Sequence, residues 1–423
     1  MFKKSKYISF LLLTFQVYVV LGQTSLPQWE QGMMDIHHIQ TGRGNATYFV
    51  FPDGTTMLFD AGEISETHPR TNSNRNSKIV PHLGKKAYQW NADYIQQFAP
   101  HQNRNLINYA VISHFHDDHF GEWDSTLAFS KGGNYRLTGI TGVGELLKIE
   151  RLIDRGHNHP INLKSQYFRE RFKNDEYHIV QTLDNYFAFI ASQQKSGLLY
   201  DTLKVGSSDQ FQLQYSPSAF PNWSIMNISV GGKVATGYEP NDFISLYSAG
   251  AYPGENPLSI SLKINYGKFN YYTGGDLSGI GEYGEGDNSS MEANIAPVVG
   301  PVDVAVMNHH GNRDAQSPYF VRTLRPRVWI QQTWSSDHPG QEVLRRVKST
   351  SLYPGPRDIF ATDLLSSNID VIGSSSVLQS FKSTKGHVVI RVYNNGDNYR
   401  VLILDEESES RSIKSTFGPY TSR

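Results

Sequence analysis

The sequence predicts an α/β protein in which two β-sheets pack face to face between flanking helices, with a helical insertion in the first half. Three observations predict it. Two β-rich halves each finish in strand-helix-strand order. Two compact apolar runs, Tyr109 to Ile112 and Val302 to Met307, have the length and composition of buried strands. A turn sequence, Asn394-Asn395-Gly396-Asp397, separates two strand-like stretches near the end.

In chain order, Met34 to Ile39 reads as a strand, residues 41–45 as a turn, and Thr47 to Phe51 as a second strand running into Pro52-Asp53-Gly54. Thr56 to Phe59 is a short third strand that meets Asp60-Ala61-Gly62, and the polar stretch 63–85 reads as an exposed loop. Ala87 to Phe98 carries aromatics at helical spacing, whereas Tyr109 to Ile112 stops at Ser113.

Residues 143–210 are polar and rich in Arg and Lys, and read as a helical insertion over the sheet, with helices at Gly144 to Asp154 and Asp184 to Gln194. Strands return at Phe211 to Tyr215, Ser224 to Val230, Ser259 to Asn265 and Phe269 to Tyr272. Val302 to Met307 is followed by a helix, Pro318 to Leu324, and a strand, Val328 to Gln331. A C-terminal hairpin over about 386–405, from His387 to Tyr393 and Tyr399 to Leu404, is expected to complete the second half.

The 423 residues accommodate one large domain or two modest ones. Residues 1–22 combine Lys3, Lys4 and Lys6 with an apolar run from Tyr7 to Leu21, and read as a secretory signal with the mature domain over 23–423. That reading places the protein in the periplasm or outside the cell, with no membrane span after cleavage. The chain has no cysteine, so any metal must be held by nitrogen and oxygen. Its 39 basic and 40 acidic residues give a charge of -1, or -4 without residues 1–22. No basic footprint for a stable nucleic-acid partner is present.

The chemistry concentrates in Ser113-His114-Phe115-His116-Asp117-Asp118-His119. Period-two spacing points His114 and His116 the same way as the strand ends, and a turn then presents Asp118 and His119 beside them. Isolated loop histidines would explain one or two of these residues, not four ligand-type residues together. Imidazole and carboxylate groups suit one or two zinc ions, with manganese and iron also compatible. A metal short of protein ligands leaves a place for water, whose pKa it lowers toward neutrality.

With these residues the sequence resembles the metallo-β-lactamase superfamily, whose HxHxDH signature coincides with His114, His116, Asp118 and His119. Further segments resemble the branch that includes the hydrolase domain of the bacterial DNA-uptake protein ComEC. They are Gly42 to Ala46, Asp60-Ala61-Gly62, Glu255-Asn256 with Ser259 to Ile264, Tyr271 to Asp276, Val302 to Gly311, and His338-Pro339. The likeness spans most of residues 33 to 350 and implies the αββα sandwich of that family.

The resemblance implies that Asp276 bridges two metals and that one of His309 and His310 is the last ligand, the other facing substrate or supporting a ligand. It implies catalytic roles for Asp118, His310 and His338, the last at the leaving group; a plain loop histidine is the alternative for His338. Many members of the superfamily place a lone histidine between the first cluster and the bridging aspartate. Here Glu255-Asn256 stands in that place, so the first metal would be held by two histidines and Asp276, with water or Asn256 completing it. Asp60 is read as supporting a ligand by a hydrogen bond, or as capping a turn.

The activity so implied is hydrolysis by a metal-activated hydroxide, with a phosphoester favoured and Arg313, Lys263 or arginines of the insertion holding the phosphate. An esterase, lactonase or β-lactamase is the alternative enzyme. A surface protein that binds metal or carbohydrate without activity is the alternative of a different class, suggested by Trp29, Trp90, Trp123, Trp223, Trp329 and Trp334. His37, His38 and His387 carry no functional expectation.

Overall fold

The computed structural model describes residues 25–281, 286–373 and 375–423; the leader expected over 1–22 lies outside them. The first half runs β1 (Met34–His38), β2 (Thr47–Val50), β3 (Thr56–Phe59), α1 (Ala87–Phe98) and β4 (Leu106–Val111). It continues through α2 (Asp117–Phe120), α3 (Gly139–Leu146), β5 (Lys148–Asp154), α4 (Gln166–Phe172), α5 (Ile179–Gln194) and β6 (Leu199–Thr202).

The second half opens with β7 (Trp223–Val230), β8 (Lys233–Ala235), β9 (Phe243–Ser245), β10 (Ser261–Tyr266) and β11 (Phe269–Thr273). Then come α6 (Met291–Val299), β12 (Val304–Val306), α7 (Pro318–Leu324), β13 (Val328–Gln331), α8 (Gln341–Lys348) and β14 (Asp358–Ala361). The chain finishes with α9 (Ser366–Ile372), α10 (Ser375–Leu378), β15 (Phe381–Ser383), β16 (His387–Tyr393), β17 (Asn398–Leu404) and β18 (Ile413–Thr421).

Two nine-stranded sheets result, ordered β18-β17-β16-β1-β2-β3-β4-β5-β6 and β15-β14-β13-β12-β11-β10-β7-β8-β9. Alternation along the strands builds three apolar layers. Phe49, Val111, Val304, Val306, Val328 and Ile330 fill the layer between the sheets. Tyr48, Val50 and Ala110 face the helices of the first half, and Ala305 and Trp329 those of the second. A strand buried on both faces needs this double apolar pattern, and the architecture is an αββα sandwich. Among the described residues no helix is long and apolar enough to cross a membrane.

Four expectations change. The segment expected as a helix from Gly144 to Asp154 is mostly strand β5, pairing in parallel with β4, because Ile149, Leu152 and Ile153 need a buried sheet position. The stretch 143–210 therefore supplies two sheet strands, β5 and β6, as well as helices α4 and α5. Phe211 to Tyr215 is not a strand. Phe211 and Leu213 are buried, but the backbone N–H groups of Gln212, Gln214 and Tyr215 donate to Tyr109 Oη, Thr55 Oγ1 and the Asp53 carboxylate instead of a strand.

The C-terminal hairpin forms but completes the first sheet, not the second half. β16 takes the free edge of β1, with Met34 opposite Val392 and Ile36 opposite Ile390, which buries Val388, Ile390 and Val392 between the sheets. The stretch 63–85 is irregular yet not simply exposed. Glu63, Ile64, Thr71, Asn76 and Ser77 are buried, and Ser77 N donates to Trp334 O while Ser336 N donates to Arg75 O. It ties the two halves together over the strand ends.

Candidate metal centre

Strands β3, β4, β11, β12 and β13 all end on one rim, where an α/β sheet offers its polar turns. After β4 the chain reaches His116 extended and then makes the single helical turn α2, which folds Asp118 and His119 back beside His114. The His114 and His119 rings lie 4.1 Å apart, centre to centre. Gly62 permits this packing: a Cβ there would sit 1.8 Å from Asp118 O. Across the rim, Gly275 adopts φ +54°, and a Cβ on it would press on Ser113 and Ser259 at 3.0 Å. The bridge candidate Asp276 follows at once, its N–H donating to Ser259 Oγ.

Two groups of potential ligands meet there. Asp118, His119, Asp276 and His310 form one, and His114, His116 and Asp276 the other, so Asp276 belongs to both. His119 Nε2 is 3.2 Å from Asp276 Oδ1, His310 Nε2 is 3.0 Å from Asp118 Oδ2 and 3.4 Å from Asp276 Oδ2, and His114 Nε2 is 3.7 Å from Asp276 Oδ2. Ligand atoms about 2.0–2.1 Å from a tetrahedral zinc stand roughly 3.3 Å apart, so the spacing suits a cation among them. His119 Nε2, His310 Nε2 and Asp276 Oδ1 are buried without a hydrogen-bond partner. A metal ion would satisfy all three, and the residues fit such an ion.

The ligands are held from behind. Asp60, in left-handed backbone with φ 63°, accepts from Ser113 N and Ser113 Oγ and lies 2.8 Å from His119 Nδ1. Asp60 thus meets the Ser113 turn and the His119 imidazole together. His310 Nδ1 donates to Gln332 O, which leaves its Nε2 facing the two aspartates. Trp334 Nε1 donates to Asp118 Oδ2. Such partners fix tautomer and direction.

Electrostatics agree with a cation site. Burial works against a charge on His310, but Asp276 and Asp118 push its pKa up to about 10. His119 is likewise raised against its burial, by Asp276, Asp118 and Asp60. Burial opposes the charge on Asp276 too, yet His119, His310 and His309 hold its carboxyl well below the usual range.

The histidine pair divides. His309 and His310 both adopt positive φ, 48° and 54°, in a tight turn that splays the rings apart. His310 enters the ligand group. His309 stands outside it, with Nδ1 2.7 Å from Asp314 Oδ1 and Nε2 beside Asn256 Nδ2 and 3.9 Å from Asp276 Oδ2. Asn256 adjoins His309 through its amide nitrogen, and its Oδ1 is buried without a hydrogen-bond partner. His338 is buried, stacked on His310 at 4.5 Å, and held down to about 3 by burial and then by His310. Its ring packs between His310 and Trp334.

A cleft of about 300 Å³ opens beside His116. Phe115, Phe172, Tyr177, Tyr252 and Trp334 give it aromatic walls, and Asp117, Glu122 and Asp175 give it acid groups. Burial pushes Glu122 up to about 8 and Asp117 up to about 7. Its arginine is Arg70, 3.4 Å from Asp337. Lys263 and Arg313 do not line this cleft. Lys263 Nζ donates to Val299 O under α6, and Arg313 is exposed beyond the histidine turn. Of the arginines in the insertion, Arg155 is buried against Glu255 and Arg169 pairs with Asp184.

Arg70, Tyr177 and the Arg155–Glu255 pair carry no distinguishing signal in the sequence. Arg70 lay in a stretch whose polarity signals only a loop, and 100 residues separate the members of the pair. His38 is satisfied in the fold by Val388 O and Tyr271 Oη, while His37 meets Tyr94 Oη through Nδ1 and turns its Nε2 toward Asp35 at 3.8 Å.

No protein-family model and no curated protein matches the chain. Among solved structures, a provisionally named metal-dependent hydrolase from Parabacteroides distasonis aligns over 77% of this chain and 91% of its own, at 12% identity and a TM-score of 0.33. A diphosphatase of the PhnP family aligns over 85% of this chain and 97% of its own, at 8% identity and a TM-score of 0.31.

Proposed function

We propose that the protein is a metal-dependent hydrolase whose site binds two cations, zinc first among the candidates, through ligand groups that share Asp276. The observation that carries this is the sharing itself. One carboxylate stands within reach of His114 in one group and of His119 and His310 in the other, and His116 of the first group lines the neighbouring cleft. His114, His116 and Asp276 would hold one ion, and Asp118, His119, Asp276 and His310 the other. Cations bound there would supply Lewis acidity and a water acidified toward neutral pH. The chain itself orients these groups: Asp60 fixes His119, Gln332 fixes His310, and Trp334 fixes Asp118.

The substrate we favour is a phosphoester, whose charged group suits paired cations; Asp276 and the imidazoles would set where it lies. The aromatic and acidic walls beside His116 favour a leaving group that is a ring or otherwise uncharged. Those same walls suit a neutral carboxylic ester or lactone, which is the second reading. Kinship with the ComEC branch and export through residues 1–22 belong to this proposal as well. N-terminal sequencing of the protein recovered outside the cytoplasm checks export: an intact Met1 in a cytoplasmic fraction would sink it.

The deciding experiment measures hydrolysis of bis(p-nitrophenyl) phosphate, p-nitrophenyl esters and a chromogenic β-lactam, with bound metal counted. Phosphodiester turnover that disappears with the metal in His116→Ala and Asp276→Asn is the expected result. Ester turnover alone selects the second reading. A metal-loaded protein that turns over none of them overturns the hydrolase proposal.

A further inference from the structure

We infer that a second cleft on the same rim binds an oxyanion of the phosphate class, and that this is a second anionic group of the substrate; the latter part rests on the function proposed above. The cleft, of about 540 Å³, lies where β5, β6 and β7 end and β8 begins, at the open edge of the sandwich. Arg155, His157, His159, Lys204, Lys233 and Asn241 contribute its polar lining. No carboxylate lines it among the described residues.

In a chain whose acids and bases almost balance, such a one-signed cavity is not a by-product of overall charge. Lys233 has no carboxylate within ion-pair distance among the described residues, and its ammonium rests over the Phe243 ring at 4.9 Å. Lys204 reaches only Asp201, at 3.8 Å, with its side chain 64% exposed. His159 Nδ1 is buried and has no hydrogen-bond partner. Burial and the neighbouring Lys233 and Arg155 keep the His159 imidazole below its usual pKa, and burial with Lys164 and Arg155 does the same for His157. Cations thus face one another across open space, an arrangement an anion relieves.

Arg155 is the wall of this cleft, not its free cation. Its guanidinium meets Glu255 through two bonds of 2.8 and 2.6 Å and donates to Gly156 O and His159 O. Glu255 lines the aromatic cleft on the other side and accepts from Phe115 N, between His114 and His116. One buried ion pair therefore separates the basic cleft from the metal centre. A molecule with its scissile ester at the metals and a phosphate further along would find an acceptor for each end, with Lys204 and Lys233 reading the second.

Calorimetric titration with inorganic pyrophosphate tests the site directly, in the wild type, in Lys204→Gln/Lys233→Gln and in Asp276→Asn. We expect binding that weakens with salt, falls about tenfold or more in the lysine variant, and persists in Asp276→Asn. Binding that is absent from the wild type, unchanged in the lysine variant, or lost in Asp276→Asn overturns the anion site. Kinetics test the link to substrate, comparing two p-nitrophenyl phosphodiesters that differ only in a terminal phosphate on the alcohol part. A KM raised about tenfold by the lysine variant, for the phosphorylated one alone and with kcat unchanged, supports it. Equal KM values overturn the substrate role while leaving the anion site standing. If no phosphodiester is hydrolysed, the phosphoester reading fails and the titration still decides the site.

Discussion

The two clefts on the rim share a wall but not a charge. Beside His116 the walls are aromatic and acidic, and the one lining arginine, Arg70, faces Asp337. Across the Arg155–Glu255 pair the lining is basic and carries no acid among the described residues. The difference teaches that charge on this protein is arranged locally: a near-neutral chain keeps opposite signs apart with a single buried pair.

The largest effect expected on that comparison comes from the metal side. Asp276→Asn should lower hydrolysis by at least about 10²–10³-fold, the scale for loss of a preorganised electrostatic partner, and should release metal. Elemental analysis beside the assay checks it; an Asp276→Asn protein that keeps both ions and full turnover removes the shared-carboxylate reading.

Next comes the wall. Arg155→Met leaves Glu255 buried and unpaired and should cost roughly 3–5 kcal/mol in urea denaturation, with Arg155→Met/Glu255→Gln recovering much of it. A double variant no more stable than the single one would mean that the pair is not what divides the clefts.

A buried pair far from both clefts supplies the reference. Arg391 grips Asp35 through two bonds and, against burial, holds its pKa at about 2. Because the folded value is depressed, this stabilisation is fully present above the unfolded pKa near 3.8 and is lost as pH falls through about 2. It should amount to roughly 2–3 kcal/mol, read as a steeper acid limb in wild type than in Asp35→Asn. Identical acid limbs would contradict the pairing.

The smallest effect belongs to the basic cleft. Its imidazoles, held low by burial and cations, are neutral at pH 7 and gain charge below the usual histidine range, beside Arg155, Lys164, Lys204 and Lys233. Sulfate, whose charge is constant there, should bind a few-fold more tightly once the pH falls below the usual histidine range than at about pH 7.5. Flat or reversed dependence would show that His157 and His159 do not face the anion.

Much of the sheet pattern was legible. Helices α1 and α7 and strand β13 fall on the expected residues, because each has one clear period and plain boundaries. Strand β5 was not, since Lys148 to Asp154 has only three apolar residues and follows directly on a helix. The placement of the final hairpin was not legible either, because its partner β1 lies about 350 residues away.

By itself the sequence determined what is local: the cluster from His114 to His119, in which a strand end and one helical turn fix the relative directions of four side chains. It also determined that Asp276 and the histidine pair end strands of the second half, through their order. Only the tertiary structure decided that Asp276 reaches both ligand groups, that His310 enters one while His309 turns toward Asp314, and that Asp60 holds His119. It alone set Arg155 against Glu255 and gathered Lys204 and Lys233 into one cleft. The physical reason is range. Backbone periodicity fixes directions over a few residues, whereas burial of two sheets against each other fixes distances between groups that the chain keeps far apart.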